Sequence, residues 1–198
     1  MTDPLKLLSI GTHPADVFDQ SGGTMAHHAS RGDQVACAVL THGARVHDAI
    51  ISDSMHHRSA VPDKIEMTSL MKERAKVKAE EIRKACNILG FNDIHFLELD
   101  DAVLVVTVES VRTLARLIRK IRPDIVLTHF PKEGDGLTSA HAIGGQIAMQ
   151  SIQFAGSVDP GDINPPHKVA QVFFFGTGAA ATRRSIWDSE GGYYNDIF

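Results

Sequence analysis

Cysteine is nearly absent: only Cys37 and Cys86 occur in 198 residues. Both fall in apolar or helix-like runs, which excludes a disulfide framework and reads as two reduced core thiols in a cytoplasmic protein. Long apolar runs are missing as well. None approaches the ~20 residues of a membrane span, and Met1 to Lys6 lacks the charged-then-apolar layout of a leader peptide. Charge of one sign is not concentrated anywhere. The formal net charge is −4 and no basic stripe occurs, which argues against nucleic acid as a partner. With 43% hydrophobic and 22% charged residues, an intrinsically disordered chain is excluded too.

Histidine, by contrast, is plentiful, with eleven in a slightly acidic chain. Position separates them. His27 and His28 lie on a helix-like stretch and His56 and His57 in a polar loop, where packed or solvated imidazoles are ordinary. His13, His42, His129 and His141 fall instead at or just beyond strand ends. Apolar runs at Lys6–Gly11, Gln34–Leu40, Ile94–Leu99, Asp124–His129 and Val169–Phe175 predict five strands. Helical patterns at Phe18–Ser30, Thr68–Leu89, Val108–Ile121 and Ala140–Phe154 alternate with them. Polar, His-rich Ala44–Glu66 is expected to be a long loop. Gly176-Thr177-Gly178 reads as a turn, since it lacks the Lys of a phosphate loop. Alternation of this kind gives an α/β fold with a parallel sheet and right-handed crossovers.

Such sheets bind ligands beyond the carboxyl ends of their strands. The first strand delivers His13 and Asp16 there, the second Thr41 and His42, and the third Asp100 and Asp101. The fourth delivers His129, followed by Glu133, Asp135 and His141. One rim therefore gathers imidazoles and carboxylates, the groups that zinc and similar divalent ions prefer. His13 and Asp16 can converge on one ion if the chain turns between them, and Pro14 favours a turn.

The stretch from His13-Pro14-Ala15-Asp16 to Gly22-Gly23-Thr24 resembles the signature of the LmbE-like (PIG-L) deacetylase superfamily, His-Pro-Asp-Asp-Glu followed by Gly-Gly-Thr. Further matches follow in order: Arg31-Gly32, Leu40-Thr41-His42-Gly43, Glu81 with Ala85 and Leu89-Gly90, Phe96 to Asp100, Arg122 to His129, His141, and the late Tyr194-Asn195-Asp196-Ile197. The resemblance implies one domain over residues 1–198 with a Rossmann-like three-layer fold and a mostly parallel sheet. It implies zinc-dependent hydrolysis of an N-acetyl group on a small, polar, sugar-like substrate. The implied metal ligands are His13, Asp16 and His141, and self-association into a homo-oligomer is expected by analogy.

Two family positions differ. The general base of the signature is replaced by Ala15, and the second catalytic group of the later element by Thr138. Acid/base groups contribute ~10²–10⁴-fold, so a replacement is needed for efficient hydrolysis. His42, His129 and Asp135 are the candidates on the rim, with Glu133 and Asp19 beside them. Each could instead hold a metal ligand by a hydrogen bond. A hydratase branch resembling 4-oxalomesaconate hydratase also carries Ala before the metal-binding Asp, but Ala44 stands where its acid/base Glu is expected. Arg45, Arg183 and Arg184 could bind an anionic substrate. A relative that keeps the metal and has lost catalysis is the third reading.

Overall fold

The computed structural model describes residues 3–45, 48, 51, 63–132 and 137–175. Glu133, Asp135, Arg183, Arg184, His56, His57, the 176–178 turn and the 194–197 segment lie outside them.

Strands β1 (Lys6–Gly11), β2 (Gln34–Thr41), β3 (Asp93–Leu99), β4 (Ile125–Thr128) and β5 (Gln171–Phe174) form one all-parallel sheet in the order β3-β2-β1-β4-β5. The two strands that read as unbroken apolar runs, β1 and β2, are buried along nearly their whole length, because helices cover both faces. Side chains alternate between those faces. Leu8 and Ile10 pack with Leu114 and Ile118 of α3 (Val108–Ile121) and Ile147 and Ala148 of α4 (Ala140–Ala155). Leu7, Cys37 and Val39 face the opposite way, onto Val17 and Met25 of α1 (Asp16–Ser30) and Ile82 and Cys86 of α2 (Lys64–Ile88). The result is a three-layer α/β arrangement. Cys37 and Cys86 are free, buried thiols within the second core.

Local signals set the helix boundaries. Asp63 caps α2 by accepting from the backbone N–H groups of Ile65 and Glu66, so the helix starts earlier than its apolar periodicity indicates. Helix α1 likewise begins at Asp16 rather than Phe18, which turns the carboxylate of the signature into a first-turn helix residue. Strands β4 and β5 are shorter than the apolar runs that contain them. At the C-terminus of α3, Arg122 takes the left-handed conformation at φ 59° and Pro123 follows.

The chain adds β2 and β3 on one side of β1, then crosses to place β4 on the other side. The strand order reverses between β1 and β4. The crevice that opens there, at the carboxyl ends, is where such folds bind ligands.

Candidate metal centre and adjoining cavity

His13 and Asp16 follow β1 at this reversal point, His129 follows β4, and His141 rides on the first turn of α4. Two glycines allow that helix to come so close. A Cβ on Gly144 would collide with Thr12 Oγ1, and one on Gly145 would lie 2.5 Å from the His129 carbonyl oxygen. Ser139 caps α4 by accepting from the Ala142 N–H at 3.1 Å, fixing the turn from which His141 projects.

Asp16 is the hub of the cluster. Its Oδ2 accepts from the His13 backbone N–H at 2.6 Å and lies 3.0 Å from His129 Nε2. Its Oδ1 lies 3.5 Å from His141 Nε2, and His13 Nδ1 lies 3.1 Å from that same nitrogen. Burial opposes ionisation of Asp16. Hydrogen bonding to His129, and then to His13 and His141, outweighs it and holds the carboxyl far below its usual range.

One ligand atom each from His13, Asp16 and His141 lies within 4.8 Å of the others. Two imidazole nitrogens and a carboxylate oxygen form a donor set suited to zinc, and three protein ligands leave a position for a small molecule. The residues present therefore fit a divalent ion.

His42 occupies a different part of the rim. Its Nδ1 lies 3.0 Å from Oδ1 of the buried Asp101 and 3.1 Å from the Ala44 backbone N–H. Asp101 also accepts from the Arg45 N–H, at 3.1 and 3.2 Å to its two oxygens. Asp100 pairs with the Arg45 guanidinium at 2.8 Å. The sequence marks Asp101 as a rim residue, but nothing in the spacing reveals its pairing with His42.

The Thr41 N–H and hydroxyl both donate to Thr12 O, and Gly43, at φ 64°, packs against the Pro14 ring. His42 thus sits one loop away from the His13 cluster. Between this loop and α2 lies a cavity of about 850 Å³, with Pro14, Thr41, His42 and Arg45 on one side and Met71, Ile82 and Phe96 among its apolar walls. That size suits a small organic ligand. His13, Asp16 and His141 do not line the cavity; it meets their cluster through Pro14. Ala15 and Thr138 are both exposed at the rim, and neither supplies an ionisable group. Asp19 is exposed on α1.

Known proteins share this architecture. The chain is 26% identical over 195 residues to a 1D-myo-inositol 2-acetamido-2-deoxy-alpha-D-glucopyranoside deacetylase of Catenulispora acidiphila, covering 87% of this chain and 60% of that protein. It is 30% identical over 137 residues to the 4-oxalmesaconate hydratase of Pseudomonas putida, covering 67% and 47%. The N,N'-diacetylchitobiose deacetylase of Pyrococcus horikoshii shares the fold at a TM-score of 0.69 and 22% identity, over 89% of this chain and 62% of that one. The chain therefore spans between 47% and 60% of the length of these two curated relatives. Residues 8–152 match the family model PIG-L, GlcNAc-PI de-N-acetylase, from the middle of β1 nearly to the end of α4. By that match, over most of its described length, the chain belongs to the PIG-L family.

Proposed function

We propose that this protein is a zinc-dependent hydrolase that removes an acyl group from the nitrogen of a small, polar, sugar-like substrate. The observation that carries the reading is the meeting of His13, Asp16 and His141, from three separate elements, with their ligand atoms within 4.8 Å. His13, Asp16 and His141 would hold the ion, which would polarise a carbonyl oxygen and make water more acidic. The chain's own residues supply the rest. The cavity beside Pro14 binds the body of the substrate and excludes water from its apolar wall.

His42 takes the place of the missing base. When its Nδ1–H donates to Asp101, Nε2 can accept a proton, and the buried carboxylate stabilises the imidazolium that forms. When Nδ1 instead accepts from the Ala44 N–H, the proton resides on Nε2 and the ring is a donor. The two partners of Nδ1 thus fit the two neutral tautomers of the ring; the one that donates to Asp101 leaves Nε2 free as the base and keeps that bond once Nε2 is protonated. Asp135 remains a second candidate from sequence and lies outside the described residues.

A second reading, a hydratase acting on an unsaturated acid, is favoured by Ala15 together with the 30% identity to the Pseudomonas hydratase. Metal analysis of the purified protein and of His13→Ala tests the foundation of both. One equivalent of zinc in the parent and none in the variant is expected; a metal-free parent that takes up no zinc ends both readings. Amine release from N-acetylglucosamine conjugates supports the hydrolase. Loss of conjugated absorbance from an unsaturated dicarboxylic acid supports the hydratase instead. With His42 as the base, Ala15→Asp is expected to raise amide hydrolysis by less than the ~10²-fold that a wholly missing base is worth; a larger gain would show that His42 does not fill the role.

A further inference from the structure

We infer that His129 is a positioning residue that braces two metal ligands at once, holding Asp16 through Nε2 and His141 through ring stacking, and is not itself a ligand or the acid/base group. The inference rests on the metal centre proposed above.

The argument begins with the two oxygens of Asp16. Oδ2 is already engaged by the His13 N–H at 2.6 Å and lies 3.0 Å from His129 Nε2. Oδ1 is the oxygen nearer His141 Nε2, at 3.5 Å. The carboxylate therefore divides its work: Oδ2 is held by the His13 N–H and by His129, with His13 Nδ1 3.4 Å from it, and Oδ1 is turned toward His141. A carboxylate fixed at one oxygen offers the other in a defined direction, which is how supporting groups raise the affinity of a metal site.

His129 Nε2 has two close neighbours, Asp16 Oδ2 at 3.0 Å and the Thr12 N–H at 3.3 Å. In the tautomer that donates to Asp16, Nε2 holds the carboxylate in place and offers no lone pair to a metal.

The ring is held on both sides. The His141 imidazole stacks on it at 4.5 Å between centroids and 5° between planes, and Phe175 meets it edge-on at 4.9 Å. His129 is only 4% exposed, so a proton shuttle to solvent is not its natural role. Its backbone is gripped as well, since α4 approaches the His129 carbonyl at Gly145. One residue at the end of β4 therefore sets the angle of a ligand on α1 and of a ligand on α4.

Two substitutions separate the two contacts. His129→Phe keeps the ring and removes the donor; His129→Gln keeps a donor near the Nε2 position and removes the ring. Zinc affinity is measured by competition with a chromogenic chelator, with circular dichroism to verify folding. Wild type is expected to bind one zinc, and His129→Phe is expected to bind it 10–100-fold more weakly. His129→Gln is expected to recover most of that loss. Wild-type affinity in folded His129→Phe overturns the brace while leaving the metal centre standing. Absence of zinc binding in wild type removes the centre itself, and the brace with it. Should His129→Phe fail to fold, nitrogen-edited NMR of the histidine rings in the wild-type protein decides. His13 and His141 nitrogens are expected to shift on zinc addition while His129 Nε2 keeps its proton; loss of that proton to the metal refutes the inference.

Discussion

Helix α4 buries charge at both of its ends, by different means. At its C-terminus, Arg119 of α3 is 1% exposed and fully used by the scaffold. Its guanidinium donates to the carbonyls of Phe154, Ala155 and Ser157 at 2.8, 3.1 and 2.8 Å, and to Asp162 Oδ2 at 3.1 Å. A planar cation matches the carbonyl end of a helix in both geometry and sign. At the N-terminus, His141 joins His13, His129 and Asp16 around a single carboxylate. The knot at Arg119 converts every donor it uses into packing of loop and helix. The cluster at His141 assembles two nitrogens and an oxygen, from His13, His141 and Asp16, whose lone pairs suit a cation that the chain itself does not supply. Burial of charge is thus not in itself a mark of function; the type of atoms left to coordinate is.

The largest effect is expected at the structural end. Arg119→Met takes a donor from the Phe154, Ala155 and Ser157 carbonyls and leaves Asp159 and Asp162 without their buried cation, costing ~3–5 kcal/mol in urea unfolding. Zinc binding by the folded fraction should not change; a loss of zinc affinity would show that the two ends are not separable. At the other end, zinc at a hundredfold over its Kd should stabilise wild type by ~2.7 kcal/mol and His13→Ala not at all. Equal stabilisation of both would place the ion elsewhere. Gly145→Ala pushes against the His129 carbonyl and should cost ~1–3 kcal/mol, with weakened zinc binding as the second readout. Unchanged zinc affinity there would uncouple the helix approach from the site.

The smallest effect concerns acid. The Asp162 carboxyl is held below its ordinary value by the Asn164 backbone N–H, against burial, and by Arg119. A depressed folded-state pKa means that this group adds stability above its unfolded value, near ~3.9, and loses it as pH falls through the folded value. Wild type and Asp162→Asn should therefore differ at neutral pH and converge in acid. A gap that persists at low pH would assign the role of Asp162 to packing rather than charge.

The alternation of apolar runs with amphipathic stretches made the order of strands and helices legible, because β1 and β2 must be buried on both faces and α3 on one. It also placed His13, His42, His129 and His141 on the correct rim. Boundaries were less legible where a cap or short strand overrides periodicity, as at Asp63 and at β5. The pairing of His42 with Asp101 was invisible, since it joins positions just past two adjacent strands whose alignment shifts between Val39 and Thr41. The close approach of α4 at Gly144 and Gly145 was not legible, since it depends on the Thr12 and His129 atoms that a Cβ there would meet.

Sequence alone determined that this chain is an α/β protein with a histidine-rich rim, because hydrophobic period and residue chemistry are local properties. Only the tertiary structure decided which rim groups meet. It set His129 against Asp16 and His42 against Asp101, although all four stand at comparable positions in the chain pattern. The physical reason is that hydrogen bonds and ring contacts act over about 3 to 5 Å. Distances of that order are fixed by strand register and helix approach, which no local pattern encodes.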